Sequence, residues 1–302
     1  MIHQYTNGNY IVRINDVNGT KERITIDPDA QQFLAEYPES MDIKLSDRCL
    51  QGCEWCHEDS KPDGNIATLF PLPQFFKTLK PYSECALGGG DLFEIKDLED
   101  FLIALKGLKL IPSITVSQRS FMKNAGDIAK WAAKKYVYGI GVSLENPNEE
   151  FIDMVKRFPN AVIHVINGVV KINDLEKLFD KNLKLLILGY KMFRRGKDYY
   201  NSETTLNQIY LKSQLKSIMP RFKVISFDNL ALWQLKVRSQ IHRKLWKEIY
   251  MGDDGQHTFY IDLVKREYGL NSTSVERFPL EDDAKKMFKH VKELSTLSRE
   301  AA

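Results

Sequence analysis

The sequence predicts an α/β fold: a partial (β/α)6 barrel, preceded by an N-terminal β-hairpin and followed by an α+β C-terminal extension. Three observations support it. From Met41 onward, short apolar runs alternate with amphipathic stretches, two strand-like segments precede them, and the alternation ends in the last third of the chain. Alternating strand and helix patterns indicate a parallel sheet that is covered by helices.

The N-terminal forty residues carry a hairpin pattern. The segments NYIVRIN and KERITID alternate apolar and polar residues on either side of DVNGT. An Asn-Gly pair between such segments favours a tight turn between antiparallel strands. A short helix is expected to follow, from about Ala30 to Glu36.

Six strand-helix units form the predicted barrel. Six are too few for a closed eight-stranded TIM barrel but enough for an open, TIM-like partial barrel. Functional groups in either sheet collect at the carboxyl ends of the strands. The predicted units are MDIKLS with LPQFFKTLK, ECALGGG with KDLEDFLIALKGL, PSITVS with NAGDIAKWAAKKY, YGIGVSLE with NEEFIDMVKRF, AVIHVIN with INDLEKLFDKN, and LKLLILGYK with TTLNQIYLKSQLKSI.

The last third breaks this alternation. KVISFDNLALWQL predicts a seventh strand, QIHRKLWKEIY a helix and HTFYIDLVKREY a further strand, with the Asp253-Asp254 turn in MGDDG between the last two. We divide the chain into a hairpin extension (1–40), the partial barrel (41–235) and a C-terminal extension (236–302). The last of these is expected to cap the barrel mouth.

Composition excludes several classes of protein. The 302 residues are 43% hydrophobic and 27% charged, as in a globular protein, and 43 Lys and Arg against 40 Asp and Glu leave a net charge of +3. That balance does not itself indicate a nucleic-acid or membrane partner. Without an apolar signal segment or a membrane-length apolar run, we expect a cytoplasmic protein.

Three of the four cysteines lie in one short loop, CLQGCEWC, directly after the first barrel strand. Cys49, Cys53 and Cys56 have the spacing C-x3-C-x2-C, and three such thiolates can ligate three corners of an iron-sulfur cube. A zinc site completed by Cys85 or His57 is the alternative. A zinc-stabilised binding module and a simple electron-transfer protein therefore remain open beside an enzyme.

This loop, in its strand-loop context, resembles the radical SAM superfamily over residues 41–235. The resemblance implies that the three cysteines hold a single [4Fe-4S] cluster and that S-adenosylmethionine binds its fourth iron. An external reductant of the flavodoxin or ferredoxin type would supply one electron, and the cleaved cofactor would abstract hydrogen from a substrate. The segments SFDNLA, MGDDG and GYK are similar to an uncharacterised subgroup from phages and mobile elements.

The resemblance also implies which residues contact the cofactor. In the family, a Gly-Gly-Glu backbone edge accepts the methionyl ammonium group of the cofactor, and this chain has GGGD at that position. The family also places an aromatic residue, directly before the third cysteine, near the adenine. Strand four offers contacts to the ribose and carboxylate, and strands five and six offer contacts to adenine, with His164 a weaker candidate. The implied cofactor-binding residues are Trp55, Gly88, Gly89, Gly90, Asp91, Ser143, Glu145, Asn167, Gly189 and Tyr190.

The substrate is not predicted. Cys85 alone cannot build a second cluster, so one cluster is expected. KMFRRGKDYY places Arg194, Arg195 and Lys197 after the sixth strand, where they could bind phosphate. A solvated surface is the alternative for this basic stretch 191–197. Small-molecule, peptide, nucleotide and nucleic-acid substrates therefore remain open, whereas a membrane partner is not expected.

Overall fold

The computed structural model describes residues 1–30 and 32–300. A three-stranded antiparallel sheet comes first, formed by β1 (Ile2–Asn7), β2 (Tyr10–Asn15) and β3 (Lys21–Thr25), in the order β1-β2-β3. The predicted hairpin is confirmed as β2 and β3, with Val12 opposite Arg23. The sequence pattern did not identify β1, which pairs with the other side of β2.

The helix expected from Ala30 to Glu36 is wrong for the described part of this segment, and Gln31 lies outside the described residues. Residues 32–36 form bends and irregular backbone. The side chain of Asn9 binds this segment instead, because its Oδ1 accepts from the backbone N of Leu34 at 2.7 Å. Side chains that bind backbone groups in this way compete with helical hydrogen bonds.

Ten strands form the second sheet: β4 (Ser40–Ser46), β5 (Glu84–Gly89), β6 (Ile111–Ser117), β7 (Gly139–Ser143), β8 (Ala161–Ile166), β9 (Lys184–Leu188), β10 (Val224–Phe227), β11 (Thr258–Asp262), β12 (Glu267–Gly269) and β13 (Phe278–Pro279). Their order is β10-β9-β8-β7-β6-β5-β4-β11-β12-β13. From β10 to β11 in this order, each strand pairs in parallel with its neighbour. Strand β12 pairs antiparallel with both β11 and β13. The predicted partial barrel is confirmed.

The α-helices of the described chain are α1 (Leu98–Gly107), α2 (Gln118–Lys123), α3 (Ala125–Ala133), α4 (Glu149–Lys156), α5 (Ile172–Glu176), α6 (Arg195–Tyr199), α7 (Ser202–Ile218), α8 (Asn229–Gln234), α9 (Arg243–Ile249) and α10 (Ala284–Glu300). None of these helices has the length and apolar character needed to cross a membrane.

Two predicted elements are shorter than expected. LPQFFKTLK forms only a 3-10 turn at Gln74–Thr78, where Pro73 offers no side-chain cap. The predicted seventh strand is β10, which ends at Phe227 because Asp228 begins α8. The Oδ1 atom of Asp228 accepts from the backbone N of Ala231 at 2.7 Å, which is a typical N-cap.

The two faces of the central strand β4 differ in character. Met41, Ile43 and Leu45 are buried in the main hydrophobic core. Asp42 points to the opposite face and is exposed, although β4 lies between β5 and β11. This face of β4 is therefore open at Asp42, whereas Lys44, two residues further along, is buried.

The C-terminal extension joins this sheet, because β11 pairs in parallel with β4. Asp254 in the preceding turn accepts hydrogen bonds from Asn229 at 2.7 Å and from Asn271 at 2.9 Å. Asn229 follows β10, one edge strand, and Asn271 follows β12 near the other edge. Asp254 thus links both sides of the open sheet. The domain limits and the capping role of the extension stay predictions.

Candidate functional site

The cysteine loop lies directly after β4, at its carboxyl end. Cys49, Cys53 and Cys56 are partly exposed, whereas Cys85 is fully buried in β5. Burial raises the pKa of Cys49 and of Cys53, and the neighbouring thiols raise both pKa values further. The three thiols therefore lie within electrostatic range of one another, and Cys85 lies in the hydrophobic core.

The end of β5 holds the start of this loop. The backbone N of Gly90 donates to the carbonyl of Ser46 at 2.6 Å, and the backbone N of Asp91 donates to that of Arg48 at 2.7 Å. Cys49 itself donates from its backbone N to a carbonyl further along the loop at 2.9 Å. The GGGD segment is thus hydrogen-bonded to the residues that lead into the first cysteine.

The three glycines of this segment face different surroundings. A Cβ at Gly90 would lie 2.0 Å from the carbonyl oxygen of Arg48, and one at Gly89 would lie 2.5 Å from that of Ser46. A Cβ at Gly88 would meet nothing within 4 Å. Gly89 and Gly90 are therefore required by the packing of the cysteine loop, and only Gly88 borders free space.

A buried ionic cluster lies at the base of the loop and is called the Lys44 cluster below. Its members are Lys44, Asp47, Glu58 and Asp262. The Lys44 side chain is only 2% exposed, and its Nζ is 3.1 Å from both Glu58 Oε2 and Asp262 Oδ2. Asp47 precedes the first cysteine by two residues and Glu58 follows the last by two. Lys44 therefore ties both ends of the loop to the barrel.

Burial opposes the positive charge of Lys44, but the carboxylates of this cluster outweigh it and raise the pKa of Lys44 above its usual range. For Glu58, burial works against the negative charge, yet His57 and Lys44 hold the pKa well below its usual range. Both groups are therefore charged at neutral pH. Each offsets part of the cost of burying the other.

The basic stretch after β9 also holds this loop. Arg194 Nη1 donates to the carbonyl of Glu58 at 2.7 Å, and Arg195 Nη2 donates to that of Ser60 at 2.6 Å. Arg195 Nε also lies 2.9 Å from Asp59 Oδ1. The two arginines are internal contacts of the loop in this structure, whereas Lys197 is exposed.

His57 connects the loop to the barrel wall. Its Nε2 lies 3.2 Å from Lys191 Nζ, which also donates to Ser272 Oγ at 2.8 Å. Burial and, after it, the charge of Lys191 lower the pKa of His57 to about 4. His57 is therefore neutral at pH 7, and its Nε2 lies between Lys191 Nζ and Glu58 Oε1, which is 3.4 Å away.

Trp55 belongs to the cysteine loop, and Asp91 and Glu145 lie beside it. The Trp55 ring packs edge-on against Tyr199, with centroids 5.6 Å apart. The charge of Asp91 contributes to the raised pKa of Cys49, and that of Glu145 to the raised pKa of Cys53. Asp91 also accepts from Ser120 Oγ at 2.7 Å, which fixes its side chain. The structure thus brings Asp91 and Glu145 to the loop that contains Trp55.

Ser143 and Glu145 do not lie on one strand, although they are two residues apart in the sequence. Strand β7 ends at Ser143, and the chain bends at Glu145 because Gln118 Oε1 accepts from the backbone N of Glu145 at 2.9 Å. Glu145 Oε1 accepts in turn from the backbone N of Arg119, at the start of α2. This contact satisfies a backbone N–H in the first turn of α2.

The remaining implied residues form a separate group around Gln234. Its carboxamide accepts from the backbone N of Tyr190 at 2.9 Å and donates to the Tyr190 carbonyl at 2.8 Å. It also accepts from Asn167 Nδ2 at 2.9 Å. The backbone N of Gly189 donates to Asp228 Oδ1 at 2.8 Å. The backbone edge expected to bind adenine is therefore occupied by side chains of this chain.

His164 is a histidine of the barrel wall. Its ring fills the space above Gly141, where a Cβ would lie 2.2 Å from the ring. Burial lowers the pKa of His164 to about 4, so it is neutral at pH 7. No described group makes a hydrogen bond to its Nδ1.

The fold is similar to that of Streptococcus suis SuiB. The structure of SuiB bound to S-adenosylmethionine matches with a TM-score of 0.58 at 12% sequence identity, covering 88% of this chain and 80% of that chain. The complex of SuiB with the precursor peptide SuiA gives 0.56 at 12% identity, covering 88% and 81%. The chain therefore has a partial-barrel fold like that of SuiB, as the radical SAM resemblance implies. No protein-family model and no curated protein matches it.

The donor set of the loop fits the cluster that the radical SAM fold implies. Three thiols of one loop provide soft ligands, and a backbone N–H lies 3.5 Å from Cys49 Sγ. Among the described residues, no group of three His, Cys, Asp or Glu converges on a single metal ion. A cubane needs no such convergence, because each of its thiolates binds a different iron.

Sequence reasoning missed the residues that support this loop. Lys44 is the one basic residue of the strand MDIKLS, and an inward-facing charge in a central strand was an available signal. Asp262 ends a strand that was predicted, yet its pairing with Lys44 depends on β11 lying beside β4. Nothing in the local sequence around Gln234 indicates its contact with Tyr190.

Proposed function

We propose that this chain is a radical SAM enzyme that holds one [4Fe-4S] cluster through Cys49, Cys53 and Cys56. The observation that carries the proposal is one loop with three partly exposed thiols at the carboxyl end of β4, held at both ends by the Lys44 cluster. The bound cluster supplies the electron that cleaves S-adenosylmethionine. An external one-electron reductant is required.

The chain's own residues would bind and orient the cofactor. Gly88 offers the open backbone beside the loop, and Asp91 and Glu145 lie near the thiols, where they can accept from a cofactor ammonium group. Tyr190 can reach an adenine only after Gln234 moves from its backbone edge.

Metal analysis tests the cluster directly. We expect anaerobically reconstituted protein to contain about four iron and four sulfide per chain, as one cubane requires. Cys49→Ala, Cys53→Ala or Cys56→Ala should abolish the cluster, because each removes a ligand. Cys85→Ala is the matched control and should retain it, since Cys85 is buried in β5.

The same analysis addresses the two alternatives. Stoichiometric zinc without iron would support a zinc-stabilised binding module and contradict the proposal. A cluster that survives with full iron content but never binds S-adenosylmethionine would instead support an electron-transfer protein. Loss of iron in the Cys85 variant alone would show that the ligands are misassigned.

A further inference from the structure

The segment 236–247 carries a positively charged surface, which is called the 236–247 surface below. It contains five Lys and Arg and no Asp or Glu, and all five are exposed. Because the whole chain has a net charge of +3, the remainder has a net charge of −2. The five cations are Lys236, Arg238, Arg243, Lys244 and Lys247.

Among the residues that the structure describes, these five cations are not held by ion pairs. Within the described chain no carboxylate forms an ion pair with any of them, whereas Lys130, Lys156 and Lys177 pair with carboxylates on the outer helices. Arg243 and Lys244 also occupy the first turn of α9, where the helix dipole disfavours positive charge. Folding stability therefore does not explain this surface.

An exposed aromatic side chain adjoins the surface. Trp233 is 75% exposed, which is unusual for tryptophan, and the backbone N of Lys236 donates to its carbonyl at 3.1 Å. Unpaired cations beside an exposed indole provide phosphate contacts and a stacking platform for bases. The α9 helix has seven residues, which is short for a helix that lies on a membrane.

The surface starts at the functional end of the barrel. Gln234, one residue after Trp233, holds the backbone of Tyr190 just beyond the carboxyl end of β9. A strand bound along the 236–247 surface would therefore lead to the same rim that carries the cysteine loop.

We propose that the 236–247 surface binds single-stranded nucleic acid and presents it to the barrel mouth as the substrate. Lys236, Arg238, Arg243, Lys244 and Lys247 contact phosphates, and Trp233 stacks on a base. The substrate assignment rests on the proposed function, whereas the binding itself does not require a cluster.

The test is fluorescence anisotropy of the full chain with labelled 16-nucleotide oligouridylate and oligothymidylate. The triple variant Arg238→Gln/Arg243→Gln/Lys244→Gln should bind at least about tenfold more weakly, with a salt dependence lower by roughly two units because three phosphate contacts are lost. The matched control Lys130→Gln/Lys156→Gln/Lys177→Gln carries the same charge change and should bind like the wild type.

A second pair of variants tests stacking separately from charge. Trp233→Leu should weaken binding about tenfold, and Trp233→Phe should retain most of it, because any aromatic face can stack. No oligonucleotide binding by the wild type, or equal losses in the two triple variants, would overturn the proposal. Iron content, measured on the same preparations, reports separately on the proposed function.

Co-sedimentation with vesicles of phosphatidylserine and phosphatidylcholine tests whether the 236–247 surface binds a membrane instead of a nucleic acid. We expect no co-sedimentation of the wild-type chain with them. Binding to vesicles as strong as binding to the oligonucleotides would show a general affinity for polyanions and would overturn the assignment.

Discussion

Lys44 and Glu58 form a buried ion pair, with 3.1 Å between Nζ and Oε2. The pair joins the strand before the cysteine loop to the residue two positions after its last cysteine. Asp262 completes the contact from β11, a strand of the C-terminal extension. The position of the cysteine loop therefore depends on Asp262, which is distant in sequence, as well as on Lys44 and Glu58 at the two ends of the loop.

Replacing Lys44 tests this support. We expect Lys44→Met to lower the free energy of unfolding by about 3–5 kcal/mol, because three carboxylates lose their buried partner. Urea denaturation of the cluster-free chain measures it. Lys61→Met is the control: Lys61 pairs with Asp59 at the surface, so the loss should stay below about 1 kcal/mol. Equal losses in the two variants would contradict the role of Lys44.

Gly88 and Gly90 should respond differently to an added side chain. Gly90→Ala should reduce the iron content, because its Cβ would collide with the carbonyl of Arg48 in the cysteine loop. Gly88→Val should keep the iron but weaken S-adenosylmethionine binding, because it narrows open space beside the loop. Iron analysis and calorimetry separate the two effects. Unchanged cofactor affinity in Gly88→Val would exclude this position from the cofactor site.

The arginines after β9 give a third prediction. Arg194→Ala/Arg195→Ala should lower iron retention on dilution, since both arginines donate to carbonyls of the loop at residues 58–60. Lys197→Ala, on the exposed side of the same stretch, should have no effect. Full iron retention in the double variant would mean that the arginines do not hold the loop, and would restore a role for them in phosphate binding.

Acid should destabilise the contact between the N-terminal sheet and the barrel. Glu39 is buried, and although burial opposes its charge, hydrogen bonds from His257 and Arg23 hold its pKa below the usual range. Its contribution is therefore fully present above the unfolded pKa of about 4.3 and is lost as pH falls through the lower folded pKa.

Glu39→Gln should remove this pH dependence. We expect the variant to lose about 3 kcal/mol at pH 7 and to show a flatter decline in stability than the wild type below about pH 4. Urea denaturation at several pH values measures it, with the exposed residue Glu22 replaced by Gln as control. Parallel pH profiles for wild type and Glu39→Gln would contradict the assignment.

The local sequence pattern predicted the secondary-structure elements better than the contacts between them. The alternation of apolar runs identified the parallel strands, and the position after the first strand identified the cysteine loop. The pattern did not predict three features. Strand β11 pairs with β4, the side chain of Asn9 accepts a hydrogen bond from the backbone of residue 34, and the side chain of Gln234 binds the backbone of Tyr190. Each depends on a contact between distant parts of the chain, which short-range periodicity does not encode.

The most direct measurement of the central claim is the formation of 5′-deoxyadenosine from S-adenosylmethionine by the reconstituted, chemically reduced enzyme. Mass spectrometry should detect it above a protein-free control with the wild type and with Cys85→Ala, and not with Cys49→Ala, Cys53→Ala or Cys56→Ala. Wild-type protein that contains four iron and four sulfide but releases no 5′-deoxyadenosine above that control would contradict the account.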